Sequence, residues 1–250
     1  VSKDYSFRHE RTLSLNPPAL DGYLGQNKRV SRVNRATATQ SLSVSFTVGL
    51  YGTAFGAASI AAGFSLLQTC LLSLLTFSGA SQFAVVGVMG AGGSAISGIA
   101  TASLLGIRNG LYGLRMAPIL KVRGIKRVVA AQVTIDESTG VAVGQEGLGE
   151  DAMKAGFWLT GFGVYIFWNF FTLLGALGAQ AMGNPSSWGL DAAVPAAFLG
   201  LVWPRLTGKL ERVLAVSSIL LAVLLSPFIS AGLPIIATAL LAAIFGWKVR

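Results

Sequence analysis

An all-α, polytopic membrane protein is the fold class this sequence predicts, and three observations predict it. Of 250 residues, 53% are hydrophobic and only 12% charged, about half the charged share of an ordinary soluble domain. Mean hydropathy is +0.65. The apolar residues also come in blocks long enough to cross a bilayer as helices, which takes roughly 20 residues each. Cys70 and His9 are each the only residue of their kind, so no disulfide framework, metal cluster or histidine-based triad is expected.

The formal net charge of +9 would suggest nucleic acid in a soluble chain. Here it reads as Lys and Arg gathered in segments that face the cytoplasm and anionic lipid, with no nucleic-acid partner. Residues 1–41 carry seven basic residues against three acids, and Pro17, Pro18, Gly22 and Gly25 interrupt any pattern. That stretch reads as a largely disordered cytoplasmic tail. It has no apolar core near its start, so it does not read as a secretory signal. Residues 42–250 then read as one transmembrane domain.

Apolar blocks follow at about 43–67, 70–92, 95–120, 155–181, 190–204, 211–230 and 233–247. The block at 190–204 is short and holds Pro195 and Pro204, which suits a broken helix, and Asp191 at its head suits an N-cap. The loop from Lys121 to Arg127 has four basic residues in seven and should share the tail's side. Three full crossings would put it on the other side, so either one of the first three blocks fails to cross or the loop overrides its charge. Residues 128–147 suit an additional, more polar helix. The expectation is six to eight helical segments. Phe55 to Phe77 weakly resembles Leu174 to Phe198, and an inverted repeat with broken helices is one arrangement that fits.

Polar residues inside apolar blocks are the candidates for function. The stretch TFSGASQFAVVG places Ser78, Gly79, Ser81 and Gln82 side by side. As a straight helix it would present Ser78 and Gln82 on one face; unwound at Gly79 it would offer free amides and carbonyls. A break is favoured. Arg108 has about twelve mostly apolar residues on either side, and no acid occurs between Asp21 and Asp136. An ionisable residue at such depth points to function. Arg108 with Asn109 supplies a planar fork and an amide, suited to a carboxylate. Arg115, nearer the basic loop, reads as an interface anchor. Asp136 and Glu137 either begin a helix or serve as proton-coupling carboxylates or counter-ions. Trp168 lies deep enough in its block to face the bundle interior.

Several pieces together resemble the AzlC-like family, the large subunits of branched-chain amino-acid exporters: SLLTFSGASQFAVVGVMGAGG, GIRNGLYGLRMAP, TIDES, FWNFFTLLGALGAQ and LDAAVPAAFLGLVWP. The likeness runs in order from about Gly49 to the C-terminus. It implies export of valine, leucine, isoleucine or analogues across the cytoplasmic membrane, driven by the proton-motive force, with a small AzlD-like membrane subunit as partner. The family's motif positions fall on Ser78, Gly79, Ser81, Gln82 and Phe83, on Arg108, Asn109, Tyr112 and Gly113, and on Asp136 and Glu137. On this reading Arg108 and Asn109 hold the substrate carboxylate. Ser78 to Gln82 take the ammonium, Phe83 the apolar side chain, and Asp136 or Glu137 the proton. A passive channel and a non-transporting scaffold are the other classes. No paired nucleophile and base, phosphate loop or metal spacing suggests an enzyme, and no cofactor is expected.

Overall fold

The computed structural model describes residues 17–183 and 193–248, and every regular element among them is helical. The helices are α1 (Pro17–Ala61), α2 (Leu66–Leu75), α3 (Gly79–Gly90), α4 (Ala95–Leu120), α5 (Ile125–Gln132), α6 (Asp136–Gly144), α7 (Glu150–Ala181), α8 (Ala193–Val202), α9 (Lys209–Leu225) and α10 (Leu233–Lys248). They outnumber the six to eight segments expected because the block at 70–92 breaks into α2 and α3. The polar stretch 128–147 likewise divides between α5 and α6. Asp191 lies outside the described residues.

The segment 17–41, expected to lack regular structure, is helical and continuous with the first apolar block. Pro17 and Pro18 open the helix, where a missing N–H removes no hydrogen bond. Thr37 and Ser41 are buried against the rest of the bundle.

Two helices, Arg35–Ala61 and Glu150–Ala181, are long and apolar enough to cross a membrane. They run side by side in the same direction. Ser45 meets Thr160, Gly49 meets Phe167, Gly52 and Gly56 meet Thr172, and Gly175 meets Thr53, so partner numbers rise together. A Cβ at Gly52, Gly56 or Gly175 would collide with the facing helix's backbone, and one at Gly49 with the Cβ of Phe167. Small residues let backbones touch where no hydrophobic force drives helices together in lipid. The segments that resemble each other, Phe55–Phe77 and Leu174–Phe198, are therefore entered by parallel helices and not by inverted ones.

The inverted arrangement lies elsewhere. After α1 the chain turns at Gly63 (φ +88°), a conformation that favours glycine, and Ser65 caps α2 in a capping box with Gln68. α2 runs back toward the middle of the bundle. Its Thr69 hydroxyl donates to Ser59, its Ser73 hydroxyl donates to Thr172, and its Leu74 carbonyl accepts from Tyr165. α3 reverses again, with Phe83 against Phe55 and Gly90 beside Ala62. Hence α2 and α3 form a hairpin that enters and leaves at the end of the bundle where α1 finishes. α4 then crosses antiparallel to α3, with Gly98 beside Val85 and Ser81 donating to the Ala102 carbonyl. It ends in the left-handed Lys121 (φ 53°), whose ammonium reaches Glu150 at the start of α7 at 3.0 Å.

A second hairpin enters from this opposite end. α5 rises until Val133 packs on Gly161, and α6 descends past Gly156 until Gln145 reaches Thr37. The two hairpin tips meet in mid-bundle, where Gln132 Nε2 donates to the Leu74 carbonyl at 2.9 Å. The second apolar block doubles back within the bundle, so the basic loop 121–127 lies at the same end of the bundle as Arg35.

Candidate functional site

The first hairpin tip is the non-helical stretch Thr76–Phe77–Ser78 between α2 and α3. The favoured break is thus present, one to two residues before Gly79, which opens α3. Ser78 is extended and makes no side-chain cap; its hydroxyl bonds Ser81 Oγ at 3.2 Å. The first amides of α3 are therefore left for whatever faces the helix end, as at any helix N-terminus. The second tip is Val133–Thr134–Ile135. It is held by Ser138, whose hydroxyl accepts from the Ile135 amide at 3.1 Å and donates to the Val133 carbonyl at 2.7 Å. Asp136 and Glu137 occupy the first turn of α6, where the helix dipole favours negative charge.

Between the tips lies a cavity of about 280 Å³. Phe77, Ser78, Gly79 and Ala80 line it from the first hairpin, and Ile135, Asp136 and Glu137 from the second. α4 contributes Leu105 and Arg108, α1 Val48 and Tyr51, α7 Val164 and Trp168, and α8 Val202. Three of the stretches picked out in the sequence thus converge on one space.

Arg108 does have a partner. Its Nη1 lies 3.4 Å from Asp136 Oδ2, with both side chains about a quarter exposed (29% and 23%). Its Nε is buried and makes no hydrogen bond in the structure. The sequence hid this pair because the acid follows 28 residues later, and only the second hairpin returns it to the level of Arg108. Asp136 and Glu137 are consecutive in the first turn of α6, and both line the cavity. One guanidinium and two carboxyl groups form the charged side of the cavity.

Other expectations need correction. Gln82 is fully buried and its amide is spent. Its Nε2 donates to the Ser73 carbonyl at 3.2 Å, and to those of Leu72 and Thr76 at 3.4 Å. Its Oε1 accepts from Trp168 Nε1 at 2.9 Å. Gln82 therefore closes the C-terminal end of α2 and does not offer its amide to a ligand. Phe83 is sealed in the core between Phe55 and Trp168 and borders no part of the cavity. Ser81 is buried and committed to the Ala102 carbonyl at 2.9 Å.

Asn109, expected beside Arg108, points to the other face of α4. It borders a separate lateral groove with Ser81, Ser103 and Gln132, and its Oδ1 is buried there without a partner. Successive helical residues are about 100° apart, which is why the Arg-Asn pair divides between two spaces. Tyr112, one turn further on, is half-buried and borders neither. Arg115 is exposed and pairs with Glu146 at 3.3 Å.

The sequence reading missed the cavity walls Val48, Tyr51 and Val164. Trp168 was legible as an interior residue but not as a wall. It is only 5% exposed, and its ring tip would lie 3.0 Å from a Cβ placed on Gly79. A side chain at Gly79 would push on that wall.

Helical hairpins inserted from opposite ends, meeting at a polar cavity beside apolar helices of membrane-crossing length, define a helical membrane protein. More narrowly, the chain belongs to the AzlC family, whose model, described as AzlC protein, matches residues 43–182, more than half of it. That family is associated with branched-chain amino-acid transport and is not an enzyme family. The match covers α2 to α7 and most of the crossing part of α1. The piece LDAAVPAAFLGLVWP lies beyond it. No curated protein matches the chain, and no solved structure does.

Proposed function

We propose that the protein is the transporting subunit of a secondary exporter for branched-chain amino acids, and that the central cavity is its substrate site. The observation that carries this reading is the pairing of opposite charge preferences across one small space. On one wall stand the free amides at the start of α3, and on the other Asp136 and Glu137, with Arg108 between them. A zwitterion requires such a division. Its carboxylate suits the α3 N-terminus and the unused Nε of Arg108, and its ammonium suits the two acids. Val48, Ile135, Val164, Trp168 and Val202 supply an apolar wall for a branched side chain. The volume lies just below the usual range for drug-sized ligands, which suits an amino acid.

Drive by the proton-motive force rests on Asp136 and Glu137, the acids that line the cavity. A substrate ammonium there competes with a proton for the same carboxylates, so loading and protonation exclude one another. A cytoplasmic N-terminal side and several membrane crossings fit the basic residues at Arg35 and 121–127 gathered at one end. A small AzlD-like subunit completes the transporter on this reading.

The test is valine transport by purified protein in proteoliposomes, with the small subunit present. Wild type is expected to accumulate valine against its gradient when a pH gradient is imposed, and Arg108→Ala to slow counterflow at least tenfold. Equal counterflow in the two would remove the carboxylate role. Equilibration without accumulation would make the protein a channel.

A further inference from the structure

Below the central cavity, α1 carries a ladder of hydroxyls at every fourth residue, Thr37, Ser41 and Ser45, all buried to 2% exposure or less. They face α6 and α7. Thr37 Oγ1 donates to Gln145 Oε1 at 3.1 Å, and Ser45 Oγ donates to the Thr160 carbonyl at 3.3 Å. The opposing face of α6 runs Glu137, Val141, Gln145, again one helical turn apart. Because α1 and α6 are antiparallel, Ser45 lies toward the level of Glu137, Ser41 toward Val141, and Thr37 at Gln145. Gln145 Nε2 then donates to Gln40 at 2.7 Å, and Gln40 is exposed.

Two hydroxyls in the middle of this seam, Ser41 Oγ and Thr160 Oγ1, are buried and make no hydrogen bond to any protein group. A serine or threonine hydroxyl in a helix can usually satisfy itself on the carbonyl one turn back, and a buried polar group left unpaired costs about 1–3 kcal/mol. Orphaned donors and acceptors of this kind are where ordered water binds. The seam is thus polar from the acids to the exposed end of Gln40, whereas the packing around Phe77, Phe83 and Phe55 above it is apolar.

We infer that this seam is a hydrated proton path joining Glu137 to the end of the bundle where α1 begins its crossing. It rests on the proton coupling proposed above and names its route. A proton enters from bulk water at Gln40. It passes along water held by Ser41 and Thr160, each oxygen accepting one proton and releasing another, and ends on the Glu137 carboxylate. The charged and titratable groups that face Glu137 are Asp136 on its own helix, Arg108 from α4 and Tyr51 from α1; α7 contributes only Val164 and Trp168 to that cavity. Among the described residues, Asp136 and Glu137 are the carboxylates that line the cavity.

The experiment compares two readouts in the same proteoliposomes: accumulation of valine driven by a pH gradient, and valine counterflow with no gradient. The double variant Ser41→Ala, Thr160→Val is expected to lose at least tenfold in gradient-driven accumulation and less than twofold in counterflow. The hydroxyl-keeping pair Ser41→Thr, Thr160→Ser is expected to retain both, which separates the hydroxyl from mere packing. Wild-type accumulation by the double variant would overturn the path. Equal loss in the two pairs of substitutions would also overturn it, by making shape the cause. Wild type that counterflows but never responds to a pH gradient would overturn the coupling and the path with it, while leaving the substrate site standing.

Discussion

The two hairpin tips are built alike and charged differently. Each is a three-residue break followed by the first turn of a helix that points into the cavity. At the first, the turn is Gly79, Ala80 and Ser81, and the break is fixed from behind by Gln82. At the second, the turn begins with Asp136 and Glu137, and the break is fixed from within by Ser138. The neutral tip leaves its helix N-terminus bare and so prefers an anion. The acidic tip covers the same kind of N-terminus with its own carboxyls and so prefers a cation. One backbone device used twice, once with and once without side-chain charge, gives the cavity two poles.

That contrast can be broken at several points. The largest effect is expected at the acidic tip: Asp136→Asn with Glu137→Gln should abolish pH-gradient-driven valine accumulation, by about a hundredfold, while protein still reaches the membrane. Retained pH dependence in that variant would remove the acids from coupling. Gln82→Leu should come next. It strands the Trp168 N–H and the carbonyls at the end of α2, and each buried group left unpaired costs about 1–3 kcal/mol. The thermal midpoint in detergent should fall by several degrees, with a rise in apparent KM as the neutral tip loosens. An unchanged midpoint would mean that the latch is idle.

Smaller still is Gly79→Ala, whose added Cβ would lie 3.0 Å from the Trp168 ring tip. A few-fold weaker valine affinity is expected, larger for leucine than for alanine if Trp168 is the side-chain wall. The least effect is expected of Arg115→Ala, because its pair with Glu146 is more than half exposed and such pairs contribute about 0–1 kcal/mol. Transport equal to wild type would place the charged action at Arg108 and not along the whole of α4.

Much of the frame was legible in the sequence because it depends on local rules. Apolar length marked α4 and α7, and Ser-Gly-Ala-Ser marked a break. The charge conflict at Lys121–Arg127 fits a block that doubles back, one of the two ways out of it that the sequence allowed. What could not be read was the consequence of two hairpins meeting. Asp136 lies beside Arg108 because α5 and α6 together make a round trip, and no periodicity reports a round trip. Gln82 looked like a ligand because its amide is polar and its block apolar. Its partners, Trp168 and the end of α2, come from 86 and about 9 residues away.

The touching backbones of α1 and α7 carry one more consequence. The joint made by Gly49, Gly52, Gly56 and Gly175 brings the two helices so close that a methyl group added at any of the four would force them apart. The hairpins meet those helices through side chains, with Phe83 on Phe55 and Trp168, Ser73 on Thr172 and Val133 on Gly161. The seam between α1 and α7 therefore tolerates no gain in side-chain size, whereas a hairpin contact can be retuned one residue at a time.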